Sequence, residues 1–132
     1  MKRVLLDTSG YSGFMRGRSE IKLALQEAEE ILLNPTILGE LFAGFMKGKH
    51  QKKNERELYL FLDSPRVGMV DINEDTAKRY GIILNSLWRM GTPIPTNDIW
   101  IAASAMQYGL NVLTTDRHFL KVQQILVDYF EA

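Results

Sequence analysis

RVLLDTSG, residues 3–10, places three apolar residues, Val4-Leu5-Leu6, directly before a carboxylate, Asp7. A short apolar run with no polar alternation reads as a strand buried on both faces, as in a parallel sheet covered by helices. Further runs of this kind follow along the chain. Ile31–Leu33 stops at Asn34-Pro35, and Val67–Val70, Val112–Thr114 and Gln124–Val127 complete a set of five strand candidates. Helical patterns separate them, so the chain reads as an α/β protein with a parallel sheet and helices on both faces.

The intervening helices carry their own start and stop signals. Gly10, Gly13 and Gly17 punctuate a segment of one or two helical turns, and Ile21, Leu23, Ala24, Leu25 and Ala28 suit a helix with one buried face. Thr36 is the expected N-cap of a helix carrying Ile37, Leu38, Leu41, Phe42, Phe45 and Met46. A helix over Asn54–Leu62 ends before Pro65. Asn73 caps a longer one, with Glu74 and Asp75 in its first turn as the helix dipole favours. Its expected inner stripe is Ala77, Tyr80, Gly81, Leu84, Leu87 and Trp88, closed by Gly91-Thr92-Pro93. A final helix, capped by Thr96 or Asn97, runs to Tyr108 with Gly109 as its C-terminal stop. With no linker, repeat or low-complexity tract, residues 1–132 read as a single domain.

Composition narrows the function classes. Sixteen basic residues balance sixteen acidic ones, so the chain as a whole is not built for non-specific nucleic-acid binding, although a local basic patch is compatible with it. Absence of cysteine excludes disulfides, thiolate metal sites and cysteine nucleophiles. No run of about 18 apolar residues is present, so no membrane span is expected. The three apolar residues between Arg3 and Asp7 are too few for a signal-peptide core, which makes the cytoplasm the expected compartment. His50 and His118 are the only histidines, whereas carboxylates are plentiful.

Four of those carboxylates stand at strand ends or in first helical turns: Asp7, Glu40, Asp98 and Asp116. In an open parallel sheet the C-terminal strand ends face one crevice. Acids gathered there repel one another unless a cation lies between them, and a hard divalent metal meets that need. The pattern suggests metal-assisted cleavage of a phosphodiester. Each acid also has a plainer reading: Asp7 as a turn residue or helix cap, Glu40 and Asp98 as helix-dipole residues, Asp116 as a strand-to-helix turn. Context favours the site. Glu40 is the only acid between Glu30 and Glu55, and Asp98 heads a helix of small apolar residues where an unpartnered charge is costly.

Thr8 and Ser9 offer hydroxyls that fix a carboxylate or cap the next helix, and Asn97 is a helix cap or a hydrogen-bond donor. His118 is a metal ligand, an acid or a solvated loop residue, and the last is favoured because hard cations prefer oxygen. The basic run Lys47, Lys49, His50, Lys52, Lys53 and Arg56 reads as a solvated loop, whereas Arg16 and Arg18, close to Asp7, are the better phosphate contacts.

Together LLDTSG, the isolated Glu40, TNDIWIAA and LTTDRHF resemble a PIN-domain ribonuclease, with the VapC-type toxins of prokaryotic toxin–antitoxin pairs the best match over essentially the whole chain. The resemblance implies a three-layer α/β/α, PIN-like fold with a five-stranded parallel sheet in order 3-2-1-4-5. It implies that Asp7, Glu40, Asp98 and Asp116 form the acidic, metal-binding quartet, with Thr8, Ser9, Asn97 and Thr114 as its polar neighbours. It further implies a Mg2+- or Mn2+-dependent endoribonuclease leaving 5′-phosphate and 3′-hydroxyl ends, a homodimer, and a cognate antitoxin. Two positions depart from the pattern: Ser9 stands where many such toxins have asparagine, and His118 where some have another acid. A phosphatase of the haloacid-dehalogenase type is excluded, because its second aspartate would fall on Ser9. The alternatives carried forward are a PIN nuclease with a housekeeping role in RNA processing and a non-catalytic PIN-like binding module. Leu41, Phe42, Phe45, Tyr59 and Phe61 supply an apolar face that either a partner helix or a second subunit would cover.

Overall fold

The computed structural model describes residues 2–132. Five strands, β1 (Arg3–Leu6), β2 (Glu30–Leu33), β3 (Val67–Met69), β4 (Asn111–Thr114) and β5 (Val127–Tyr129), form one sheet in the order β3-β2-β1-β4-β5. Every pairing is parallel. The strand that opens the sequence is therefore the centre of the sheet. Leu5 and Leu6 are fully buried there, which explains its uninterrupted apolar character.

Helices α1 (Thr8–Met15) and α2 (Ser19–Glu27) join β1 to β2, and α3 (Pro35–Lys47) and α4 (Gln51–Leu62) join β2 to β3. Helices α5 (Glu74–Met90) and α6 (Thr96–Tyr108) carry the chain back to β4. Right-handed crossovers put α1–α4 on one face of the sheet and α5 and α6 on the other. A short 3-10 helix, Arg117–Lys121, precedes β5. The direction of strand addition reverses between β1 and β4, so the crevice at their C-terminal ends is the switch point where α/β sheets bind ligands. Helix α1 approaches β4 very closely there. A Cβ on Gly10 would lie 2.5 Å from the Leu113 carbonyl oxygen, so only glycine fits at that contact. No helix among the described residues is long and apolar enough to cross a membrane.

Several element boundaries differ from the sequence expectation. The N-cap of α3 is Asn34, not Thr36: the Asn34 side chain accepts a hydrogen bond from the Ile37 amide at 3.0 Å, and Pro35 occupies the first helical position. Helix α6 begins after Pro95 with no side-chain cap, because Thr96 and Asn97 both lie inside the helix. The buried face of α5 is turned by one residue. Thr76, Ile83 and Leu87 point inward, while Ala77, Gly81 and Trp88 are exposed. Thr76 is drawn inward by polar bonds, its hydroxyl joining the Asn73 cap and Gln107. Strand β5 starts at Val127, where pairing with β4 begins, and not at Gln124. Leu126, in the expected strand, is exposed.

Candidate active site

Asp7 ends β1 and caps α1, and its carboxylate is wrapped in hydrogen bonds. Oδ1 accepts from the Gly10 amide at 2.8 Å and from the Ser9 hydroxyl at 2.9 Å, and Oδ2 accepts from the Thr114 hydroxyl at 2.8 Å. Ser9 Oγ in turn accepts from the Thr115 amide, and Thr114 Oγ1 from the Asp116 amide. The two hydroxyls thus clamp the end of β1 to the end of β4. Burial pushes the Asp7 carboxyl from its usual 3.8 up to about 6, against the pull of those three bonds, and the charge of Asp116 adds to the rise. Only 3% of Asp7 is exposed, so desolvation outweighs hydrogen bonding at this residue.

Asp116 follows β4 and caps the 3-10 helix, accepting from the His118 amide at 2.9 Å. That turn folds the His118 ring back over the crevice. Its Nδ1 lies 2.9 Å from Asp98 Oδ2 and 3.1 Å from Asp116 Oδ1. Fully buried Phe119 anchors the turn next to it. Asp98, in the first turn of α6, is itself buried, which raises its pKa. The bond from His118 opposes that rise, while the charges of Asp116 and Glu40 reinforce it.

Glu40 projects from the second turn of α3. Its Oε1 accepts from the Thr8 hydroxyl at 2.7 Å, and its Oε2 from the Asn97 amide at 3.4 Å. It therefore connects α3 to both α1 and α6. All four polar neighbours expected from the sequence, Thr8, Ser9, Asn97 and Thr114, hydrogen-bond directly to one of the acids. Asn97 does so in place of the capping role also considered for it.

The arginines separate. Arg18 is ion-paired with Glu20 at the start of α2. Arg16, exposed at the end of α1, lines an open cleft of about 350 Å³ with Tyr11, Lys53, Asn54 and Glu57. Lys53, read as part of a solvated loop, thus faces the same cleft.

The structure engages His118 more than the favoured solvated reading implied. Its ring is partly exposed and also bridges two carboxylates. The available signal was the spacing: a residue two after a capping aspartate in a tight turn returns to the side of that aspartate. A second missed residue is Asn34. Fully buried, it caps α3 and donates to Ser104 Oγ at 2.9 Å, tying α3 to α6 beneath the acids.

The donor set fits a divalent cation. One ligand atom each from Asp98, Asp116 and His118 lies within 4.8 Å of the others. Among the described residues, no lysine or arginine ion-pairs with any of the four acids. Carboxylates packed together without a fixed cation favour a bound one.

Fold and pocket together define a parallel α/β protein with an acidic crevice at its switch point. The chain belongs to the PIN family: residues 4–125 match the family model described as PIN domain. Among curated proteins it is similar to Ribonuclease VapC4 of Mycobacterium tuberculosis, 25% identical over 127 residues that cover 96% of each chain. Among solved structures it is similar to a chain of DNA-bound VapBC from Salmonella typhimurium. That likeness has a TM-score of 0.84 at 25% identity and covers 97% of this chain and 98% of the other. It also resembles a chain of VapBC2 from Rickettsia felis bound to a promoter DNA fragment, with a TM-score of 0.84 at 21% identity over 97% and 98% of the two chains.

Proposed function

We propose that this chain is a metal-dependent endoribonuclease and the toxin of a toxin–antitoxin pair, its domain spanning residues 1–132. The carrying observation is the convergence of Asp7, Glu40, Asp98 and Asp116 from four separate elements, with no lysine or arginine among the described residues ion-paired to them. Similarity to ribonucleases named VapC and to chains of VapBC complexes supports RNA as substrate and a cognate antitoxin as partner. A homodimer and a cytoplasmic location belong to the same proposal.

Asp98 and Asp116 would hold the cation, with Asp7 and Glu40 flanking it. Mg2+ or Mn2+ would neutralise charge on the phosphodiester and acidify water. Glu40 is suited to orient the attacking water and take its proton, because Thr8 and Asn97 fix both of its oxygens. Asp7, through Thr114, sets the position of the Asp116 backbone and so the spacing of the crevice. Arg16 would steer the RNA backbone along the cleft it shares with Lys53. Arg18, bound to Glu20, would reach phosphate only by exchanging that partner.

The test is cleavage of structured RNA by the purified chain with Mn2+ or Mg2+, with end-group analysis of the products. Cleavage leaving 5′-phosphates, lost in Asp116→Asn, is the expected result. If neither ion supports cleavage, and Asp116→Asn arrests growth as strongly as the parent, the proposal fails.

A further inference from the structure

We infer that the α3–α4 turn is a phosphate-binding ridge, which holds the RNA backbone a few nucleotides away from the bond that is cut. The inference rests on the ribonuclease reading above and adds a second contact surface for the same substrate, outside the acidic crevice.

Charge separation carries it. Between Lys47 and Arg56 five lysine or arginine residues stand against one acid, Glu55, a formal net charge of +4. The rest of the chain, with eleven basic and fifteen acidic residues, carries −4, so the overall balance conceals a local patch. Lys47, Lys49, His50, Lys52, Lys53 and Arg56 are all exposed, and among the described residues none of them is ion-paired. Glu55 accepts instead from the side-chain amide of Gln51 at 3.0 Å.

Much of this run is helix and not loop. Helix α4 begins at Gln51, ahead of the start expected at Asn54, so Lys52, Lys53 and Arg56 are helical. Their spacing of three and four residues puts them on one face. Like charges at that spacing repel, and cations in a first helical turn oppose the helix dipole. The stability of α4 gives no reason for them; a polyanion does.

Position connects the ridge to the reaction. Lys47 ends α3 seven residues beyond Glu40, about 10 Å along the helix axis. Lys53 lines the cleft that also holds Arg16, at the end of the helix that Asp7 caps. The hollow over the turn, about 460 Å³, is lined by Gly48, Lys49, His50, Gln51, Lys52 and Lys53, with no apolar side chain. Protein interfaces are anchored by buried aromatic residues and are poor in lysine, so this surface fits phosphates and not an acidic protein.

Two measurements on the full-length chain in EDTA test the ridge without requiring cleavage. Fluorescence anisotropy with an oligouridylate of about 20 nucleotides gives Kd as a function of KCl. Lys49→Gln/Lys52→Gln/Lys53→Gln should weaken binding about 10-fold at ~0.1 M KCl. It should also flatten the slope of log K against log [KCl] by about 2, since each phosphate contact contributes about 0.7. Lys22→Gln/Lys78→Gln/Lys121→Gln removes the same charge from exposed positions elsewhere and should leave the slope unchanged. On the parent chain, bound oligouridylate should shield Lys49, Lys52 and Lys53 from acetylation, read by mass spectrometry, while Lys78 and Lys121 stay reactive. That second arm needs no variant to fold. Equal slopes for the two triple variants, or no shielding at the turn, overturn the ridge. So does a parent that cleaves RNA with Mn2+ yet binds none in EDTA, and in each case the ribonuclease reading stands. Poly-glutamate bound as tightly as the oligouridylate assigns the face to an acidic protein and overturns it as well. A parent that neither binds nor cleaves RNA overturns both readings.

Discussion

At the scale of single residues, Asp7 is held at an energetic disadvantage that its neighbours do not remove. Its carboxyl rises from 3.8 to about 6, so the folded chain binds the proton more tightly than the unfolded chain does. The resulting stability is complete below the unfolded value and is lost as the pH climbs through the folded one. Above pH 6 the ionised Asp7 therefore costs the metal-free protein up to about 3 kcal/mol. An asparagine in its place would keep an acceptor for the Gly10 amide and remove the charge. Asp7→Asn should accordingly be more stable than the parent by up to about 3 kcal/mol at pH ~7.5, with the gain vanishing near pH ~4. Urea unfolding in EDTA across that range checks this, and a gain independent of pH contradicts it. The same substitution should abolish cleavage, a conflict between stability and function expected where charges are gathered for chemistry.

At the scale of elements, the site is assembled from the ends of secondary structures, and its precision depends on how those ends are capped. Asn34 serves two purposes: it starts α3, which carries Glu40, and it binds Ser104 on α6, which carries Asp98. Asn34→Ala removes the cap and leaves a buried hydroxyl without its donor. The expected loss is about 2–3 kcal/mol. Chemical denaturation measures it; a loss below about 0.5 kcal/mol would show that α3 needs no such anchor. The caps also mark where sequence reading stopped being sufficient. Asn73 and the glycine stops Gly91 and Gly109 were legible because their partners lie within one helical turn. Asn34 and Thr36 are both capping residue types, and the sequence expectation took Thr36. Pro35 supports the earlier one by fitting the first helical position, and the bond to Ser104, 70 residues away, adds a tertiary reason. Strand β5 was misplaced for the same kind of reason. Its apolar run is ambiguous by itself, and the pairing Val112↔Val127 sets its register.

For the whole molecule, the acids lie where the α1–α4 and α5–α6 layers meet at the sheet's switch point. On the proposed function, one divalent ion held by Asp98 and Asp116 would tie the end of β4 to α6, and it would stabilise only the folded chain. At an ion concentration of about 100 times Kd the gain is about 2.7 kcal/mol. Thermal unfolding should therefore shift upward with Mn2+ and return with EDTA, and Asp98→Asn should abolish most of the shift. An equal shift in that variant would place the ion elsewhere. The exposed apolar side chains of α3 and α4, Met46, Tyr59 and Leu60, lie outside this effect.

The sequence by itself determined the alternation of strands and helices, the buried character of the RVLLD strand, and the four acids that meet at the crevice. Those features are encoded locally, in apolar runs, in caps and in the types of residue at strand ends. Only the tertiary structure decided what each acid faces. Asp7 is enclosed by hydroxyls from Ser9 and β4, Glu40 is held between α1 and α6, and His118 is set between Asp98 and Asp116. The physical reason is distance along the chain. Thr114 is 107 residues from Asp7 and Asn97 is 57 from Glu40, and packing alone brings such residues within hydrogen-bond reach.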